Sequence, residues 1–252
     1  MIVISLRNFV IVVFCLMLGA CSGTPSPQTA GDYGEVREGY IVIPPVDAKY
    51  LKEPNRRAVV TYSGKEVPGT IVVDPHAKFL YLVEPGGTAT RYPIAVGREG
   101  KGFRGEATIG RKAEWPGWTP TANMLRTEPE FYEPFAKGIP GGVASPLGAR
   151  ALYLYRGGRD TYFRVHGTND LETIGNSGSA GCIRMFNQDV IHLYDRAAVG
   201  ARVVVRTYEQ SVAAEGTELA NRGIELTPKQ VDPERVYAVV AEEERRRANS
   251  EQ

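Results

Sequence analysis

Two side chains in this sequence could make and hold a sulfur nucleophile. Cys182 lies in Ser179-Ala180-Gly181-Cys182-Ile183-Arg184-Met185, and His166 in Tyr162-Phe163-Arg164-Val165-His166-Gly167-Thr168. The thiolate is the reactive form of cysteine, and a neighbouring imidazole both generates it and steadies it. Gly178, Ala180 and Gly181 leave the backbone before the sulfur almost bare. Bare backbone admits a substrate carbonyl and lets amide N–H groups, those near Gly181 and Cys182, meet the oxyanion formed on attack. A carbonyl just after His166, that of Gly167, is the candidate to set the imidazole tautomer. Arg184 is placed to hold a substrate carboxylate or to brace the site, and Ser179 is a hydrogen-bonding neighbour. A cysteine buried only for packing usually sits among large apolar residues rather than glycines. Zinc would need three or four Cys/His ligands, and His76, His166, His192 and Cys182 show no paired ligand spacing. The chemistry these residues favour is covalent acyl transfer.

The elements that must aim them are readable from periodicity. Tyr162, Arg164 and His166 alternate with Phe163 and Val165, so a strand carries the imidazole on rigid backbone. Ala151–Tyr155 reads as its partner across a turn at Gly157-Gly158-Arg159-Asp160. Upstream, Ala58–Tyr62, Thr70–Asp74, Lys78–Val83 and Thr90–Val96 are rich in Val, Ile, Tyr and Phe between Gly/Pro punctuation. The nearly continuous apolar run Lys78–Val83 predicts a central strand. After Cys182 the spacing predicts a helix capped by Asn187, with Val190, Leu193, Tyr194 and Ala197 on one face and His192 off it. Ala201–Thr207 is a closing strand. The class is mainly β, a sandwich or barrel with a helix after the cysteine. From Gly97 to Arg150 the chain is rich in Gly and Pro and reads as a long lid-like insertion, with Trp115 and Trp118 candidates either to line a substrate wall or to anchor the loop.

His166-Gly167-Thr168 followed by Ser179-x-Gly181-Cys182-Ile183-Arg184 resembles the catalytic signature of the L,D-transpeptidases, the YkuD-type, ErfK/YbiS-like group. Pro146–Leu154 resembles that family's lead-in strand and Gly69–Pro75 its first strands, so the likeness runs roughly from Arg57 to Tyr208. One position departs: many members carry a second histidine where this chain has Ala180. The resemblance implies a peptidoglycan stem tetrapeptide as acyl donor and loss of D-alanine. The acyl group would pass to an amine on a second stem, giving a 3→3 cross-link, or on an envelope protein. No metal or organic cofactor is implied, and sensitivity to carbapenems is implied as well. Two alternatives stay open: an L,D-carboxypeptidase or hydrolase that passes the thioester to water, and a wall-binding lipoprotein with a lapsed site.

The N-terminus bears on location. Arg7 precedes the apolar run Phe9–Leu18, too short for a span of about 20 residues, and Leu18-Gly19-Ala20-Cys21 resembles a bacterial lipobox. A signal peptide over 1–20, a flexible tether over 21–54 lipidated at Cys21, a catalytic domain over 55–208 and a polar, partly helical tail over 209–252 follow as expectations. Acyl chains at Cys21 would hold the protein to a membrane facing the periplasm, and Ser22 resembles signals for the outer membrane. Cys15 would leave with the peptide, which isolates Cys182 in an oxidising compartment. In 252 residues, Lys and Arg number 30 and Asp and Glu 29. This balance makes no electrostatic case for nucleic acid.

Overall fold

The computed structural model describes residues 33–97, 102–178 and 182–251. Its strands are β1 (Val36–Glu38), β2 (Ile41–Ile43), β3 (Ala58–Thr61), β4 (Ile71–Asp74), β5 (Phe79–Glu84), β6 (Thr88–Pro93), β7 (Ala95–Val96), β8 (Gly105–Glu114), β9 (Arg150–Arg156), β10 (Arg159–Thr168), β11 (Ile183–Phe186) and β12 (Arg202–Val205). The helices are α1 (Ala122–Thr127), α2 (Pro129–Tyr132), α3 (Asn187–Arg196), α4 (Tyr208–Ala220) and α5 (Pro233–Ser250). The fold is mainly β. Ten strands form one mixed sheet in the order β3-β6-β5-β4-β12-β8-β9-β10-β11-β7. Side chains from β4 through β12 meet in a single buried cluster that includes Ile71, Leu80, Ile109, Leu152, Val165, Ile183 and Val203, so the sheet curls around one core.

The run Lys78–Val83 is the central β5 expected from its composition, paired on both sides and buried over Phe79–Val83. The helix stripe also falls inward, with Val190, Leu193 and Ala197 buried. Asn187, however, is not the cap. Phe186 occupies that position, and the Asn187 amide instead accepts from Ala149 N at 2.9 Å and donates to Thr168 O at 3.2 Å. His192 is half-buried rather than solvated, because its Nδ1 lies 2.7 Å from the Tyr92 hydroxyl. The turn after β9 is a two-residue hairpin with Gly157 and Gly158 at φ 56° and 76°, a conformation glycine adopts without strain.

Two sequence expectations need correcting. The region 97–150 is not loop throughout, since β8 fills a place inside the sheet between β12 and β9. Its charged residues and two glycines hide the strand. Gly110 is there for packing: a Cβ would overlap the Tyr155 ring, and the register shifts beside it. The lid-like insertion is therefore the stretch after β8, which carries α1 and α2.

Nor is 33–54 a loose tether. Strands β1 and β2 pair, and Tyr33, Ile41, Ile43, Val46 and Leu51 are buried. Long-range polar anchors explain why. The Tyr33 hydroxyl donates to Asp189 Oδ2 at 3.1 Å, Arg57 Nη1 reaches Asp189 Oδ1 at 3.2 Å, and Gln188 Nε2 donates to Gly34 O and Pro44 O. Glu38 accepts from Trp115 Nε1 at 2.7 Å and from Arg150 Nη2 at 2.7 Å. Asp189→Ala would leave the Arg57 guanidinium buried without its carboxylate. A loss of about 3–5 kcal/mol in urea unfolding is expected; a loss under about 1 kcal/mol would show that this network does not hold the N-terminal segment.

Opposite, α4 docks through a second set. Arg206 Nη1 bridges Asp74 Oδ2 at 3.2 Å and Glu215 Oε1 at 2.8 Å, and Ser211 donates to Asp74 Oδ1 at 2.8 Å. The residues read as signal peptide and lipobox, Cys15 and Cys21 among them, lie outside the described residues.

Candidate active site

His166 lies on β10, and Cys182 immediately precedes its parallel neighbour β11. In the β10–β11 ladder Val165 stands opposite Ile183 and His166 opposite Arg184. Val165 and Ile183 both point into the core cluster. Alternation therefore turns Arg164, His166, Cys182 and Arg184 to the other face of the sheet. Thiol and imidazole share that face. Both are nearly enclosed, Cys182 at 5% exposure and His166 at 4%, and Cys182 forms no disulfide among the described residues.

The imidazole has a defined tautomer. His166 Nδ1 lies 2.7 Å from Gly167 O. A carbonyl only accepts, so Nδ1 carries the hydrogen and Nε2 keeps its lone pair. Burial pulls the His166 pKa down to about 4, opposed by the Gly167 carbonyl and reinforced by the positive charges of Arg184 and Arg164. At neutral pH the ring is thus an uncharged base.

Close packing makes the turn behind this ring possible. A Cβ on Gly167 or on Gly148 would overlap Asn187 Oδ1. The same Asn187 ties the end of the insertion, at Ala149, to Thr168. Bare backbone at Gly148 and Gly167 lets one amide brace β10 and the end of the insertion together.

Beside the sulfur is a residue that periodicity concealed. β10 is irregular between Asp160 and Arg164, and Tyr162 there takes φ 63° with its ring 76% exposed. Its N–H donates to Asp160 Oδ1 at 2.8 Å, which holds the unusual conformation. Its carbonyl accepts from Cys182 Sγ at 3.6 Å. The Arg164 guanidinium lies over the Tyr153 ring at 4.6 Å and pairs with Asp160. An Asp two residues before an aromatic, next to a Gly-Gly turn, is the only local sign of this kink.

Arg184 is 5% exposed. Its Nη1 approaches Asp170 Oδ2 at 3.6 Å, while Nε and Nη2 find no hydrogen-bond partner among the described residues. Two buried donors left over on an arginine suit a bidentate oxyanion. The tryptophans are engaged elsewhere: Trp115 with Glu38, Trp118 with the cluster of Phe135, Ile139 and Ala144. Ser179, Ala180 and Gly181 lie outside the described residues.

A mainly β domain with a neutral histidine on one strand and a buried cysteine at the entry to the next is the class these features define. Residues 68–205 match the model of the YkuD family, described as the L,D-transpeptidase catalytic domain, and the chain belongs to that family. It is 36% identical over 138 residues to the probable L,D-transpeptidase ErfK/SrfK of Escherichia coli (strain K12), covering 54% of this chain and 43% of the relative. A putative L,D-transpeptidase from the ATP synthase subunits region of Fuscovulum blasticum is 34% identical over 137 residues, covering 54% of this chain and 68% of the relative. Among solved structures, one from Brucella melitensis, described as a probable carnitine operon oxidoreductase, is 52% identical with a TM-score of 0.43, covering 63% of this chain and 98% of that one. The chain thus spans less than half of the ErfK/SrfK relative's length.

Proposed function

We propose that this protein is a cysteine L,D-transpeptidase that acts on peptidoglycan stem peptides through a thioester. The observation that carries the reading is the His166 Nδ1 contact to Gly167 O at 2.7 Å, which leaves Nε2 as a base on the face that Cys182 shares. His166 Nε2 takes the thiol proton, and Sγ adds to the carbonyl carbon on the L-centre of the stem's diamino acid. Amides of Gly181 and Cys182 hold the oxyanion. Collapse breaks the C–N bond, the leaving D-alanine amine receives the proton from His166, and a thioester remains. An amine of a second stem, or of an envelope protein, then attacks. It yields its proton to His166 and releases the sulfur. Arg164 and Arg184, whose charges disfavour an imidazolium, favour negative charge on sulfur in the same place.

Arg184 binds a donor carboxylate through Nε and Nη2, Ser179 hydrogen-bonds beside the nucleophile, and the two tryptophans shape the cleft wall by anchoring it. The test is intact-protein mass after mixing with purified disaccharide-tetrapeptide, followed by product analysis. An acyl adduct with cross-linked dimer is the expected result. Tripeptide alone would assign a hydrolase, and absence of any adduct would sink the thioester. In this reading the protein works in the periplasm, lipid-anchored at Cys21 to the outer membrane. Cys21→Ala should move it from the membrane pellet to the soluble fraction, and an unchanged distribution would remove the anchor.

A further inference from the structure

The segment 222–250 lies wholly outside the stretch 68–205 that defines the family, yet it touches both the backbone entering Cys182 and the insertion after β8. Arg222 starts it by donating to Lys78 O at 3.0 Å and stacking 4.1 Å over the Phe79 ring. Ile224–Leu226 then runs parallel to Ser177 and forms a single β-bridge with it through Glu225. Ser177 N donates to Ile224 O at 2.9 Å, and Leu226 N donates to Ser177 O at 2.8 Å. Ile224 N also donates to Asn176 Oδ1 at 3.0 Å.

This pairing extends a ladder that begins at the nucleophile. Gly97 N donates to Cys182 O at 3.0 Å, Val96 bridges Ser177, and Ser177 bridges Glu225. Gly178 fits beneath it only because it lacks a Cβ, which would overlap the Leu226 backbone.

Further on, α5 covers the insertion. Val236, Val239 and Val240 pack on Phe135, Ile139 and Ala144. Glu243 Oε1 accepts from Val143 N at 3.0 Å, and the Tyr237 hydroxyl donates to Pro134 O at 3.3 Å. Asn169 Nδ2, three residues after His166, donates to Val143 O at 3.3 Å, so the covered insertion leans on the catalytic strand's exit.

We propose that residues 222–250 form a strap that completes the active site: Ile224–Leu226 positions Ser177 and Gly178 and, through Val96 and Gly97, the Cys182 backbone, and α5 holds the wall that receives the acyl donor. The inference rests on the thioester reading above. It assigns Leu226 and Val239 as positioning residues that never touch substrate. Loosening the first should slow the chemical step, whereas undocking the second should weaken donor capture. A displacement of about 1 Å at a reacting group can cost on the order of a hundredfold in rate.

The experiment is acylation of the full chain by a carbapenem, followed by intact mass and by loss of the β-lactam absorbance across concentrations. Leu226→Pro, which deletes the N–H given to Ser177, should lower the maximal rate about tenfold or more at unchanged half-saturation. Leu226→Ala keeps that N–H and should acylate as the unaltered protein does. Val239→Asp should raise the half-saturating concentration about tenfold with the maximal rate kept. Should either variant fail to fold, a protease site placed within 227–231 and cut after purification takes its place. Cutting should raise half-saturation.

Constants equal to those of the unaltered protein, or losses that track only the unfolded fraction by circular dichroism, overturn the strap alone. An unaltered protein that carbapenem does not acylate overturns the underlying thioester reading, and the strap with it.

Discussion

Cys182→Ala is expected to abolish acyl transfer, a fall of more than about a thousandfold, with the fold retained. The size follows from the step removed. Without sulfur there is no thioester, and oxyanion contacts alone leave only a small residue of catalysis. Structure should survive because the change removes one atom from a nearly closed site whose thiol makes a weak hydrogen bond to Tyr162 O. The expected stability cost is about 0.5–3 kcal/mol. Turnover of disaccharide-tetrapeptide by intact mass, with a thermal melt alongside, decides it. Retained turnover in a folded variant would end the cysteine mechanism.

The second large effect belongs to His166. In His166→Gln the side chain stays polar and of similar length but cannot take a proton. A fall of about 10²–10⁴ in acylation rate is expected. The pH dependence separates this role from mere packing. With the ring held near 4 by burial, activity of the unaltered protein should persist below pH 6.5 and fade only as pH approaches 4.

Stability follows the same group. Between about 6.5, the ordinary histidine value, and 4, the unfolded chain binds more protons than the folded one. The contribution is therefore fully present above about pH 6.5 and is lost as pH falls through the folded value of about 4. Its full size is about 3 kcal/mol. Urea midpoints at pH 4.5 and 7 should differ less in His166→Gln than in the unaltered protein. Equal differences in the two would place the acid sensitivity elsewhere.

Much of the site could be read without coordinates, since its information is local. A cysteine among glycines, a histidine on an alternating strand and an apolar stripe through Val190, Leu193 and Ala197 are each encoded within a dozen residues. Burial then follows period by period. The strand β8 escaped because its outward positions are charged and its glycine answers to a ring, Tyr155, more than forty residues away.

What the chain determined by itself is the chemistry available and the alternation that faces it. What only the tertiary structure decided is who meets whom across long separations. Tyr33 finds Asp189 from 156 residues away, Glu38 finds Arg150 from 112, and the distal strap closes on Ser177. Such contacts carry no periodic signal. Each is a polar group or bare backbone stretch satisfied only once a distant segment has been packed against it, so the 33–54 hairpin reads as linker and the Tyr162 kink as ordinary strand until the sheet has curled.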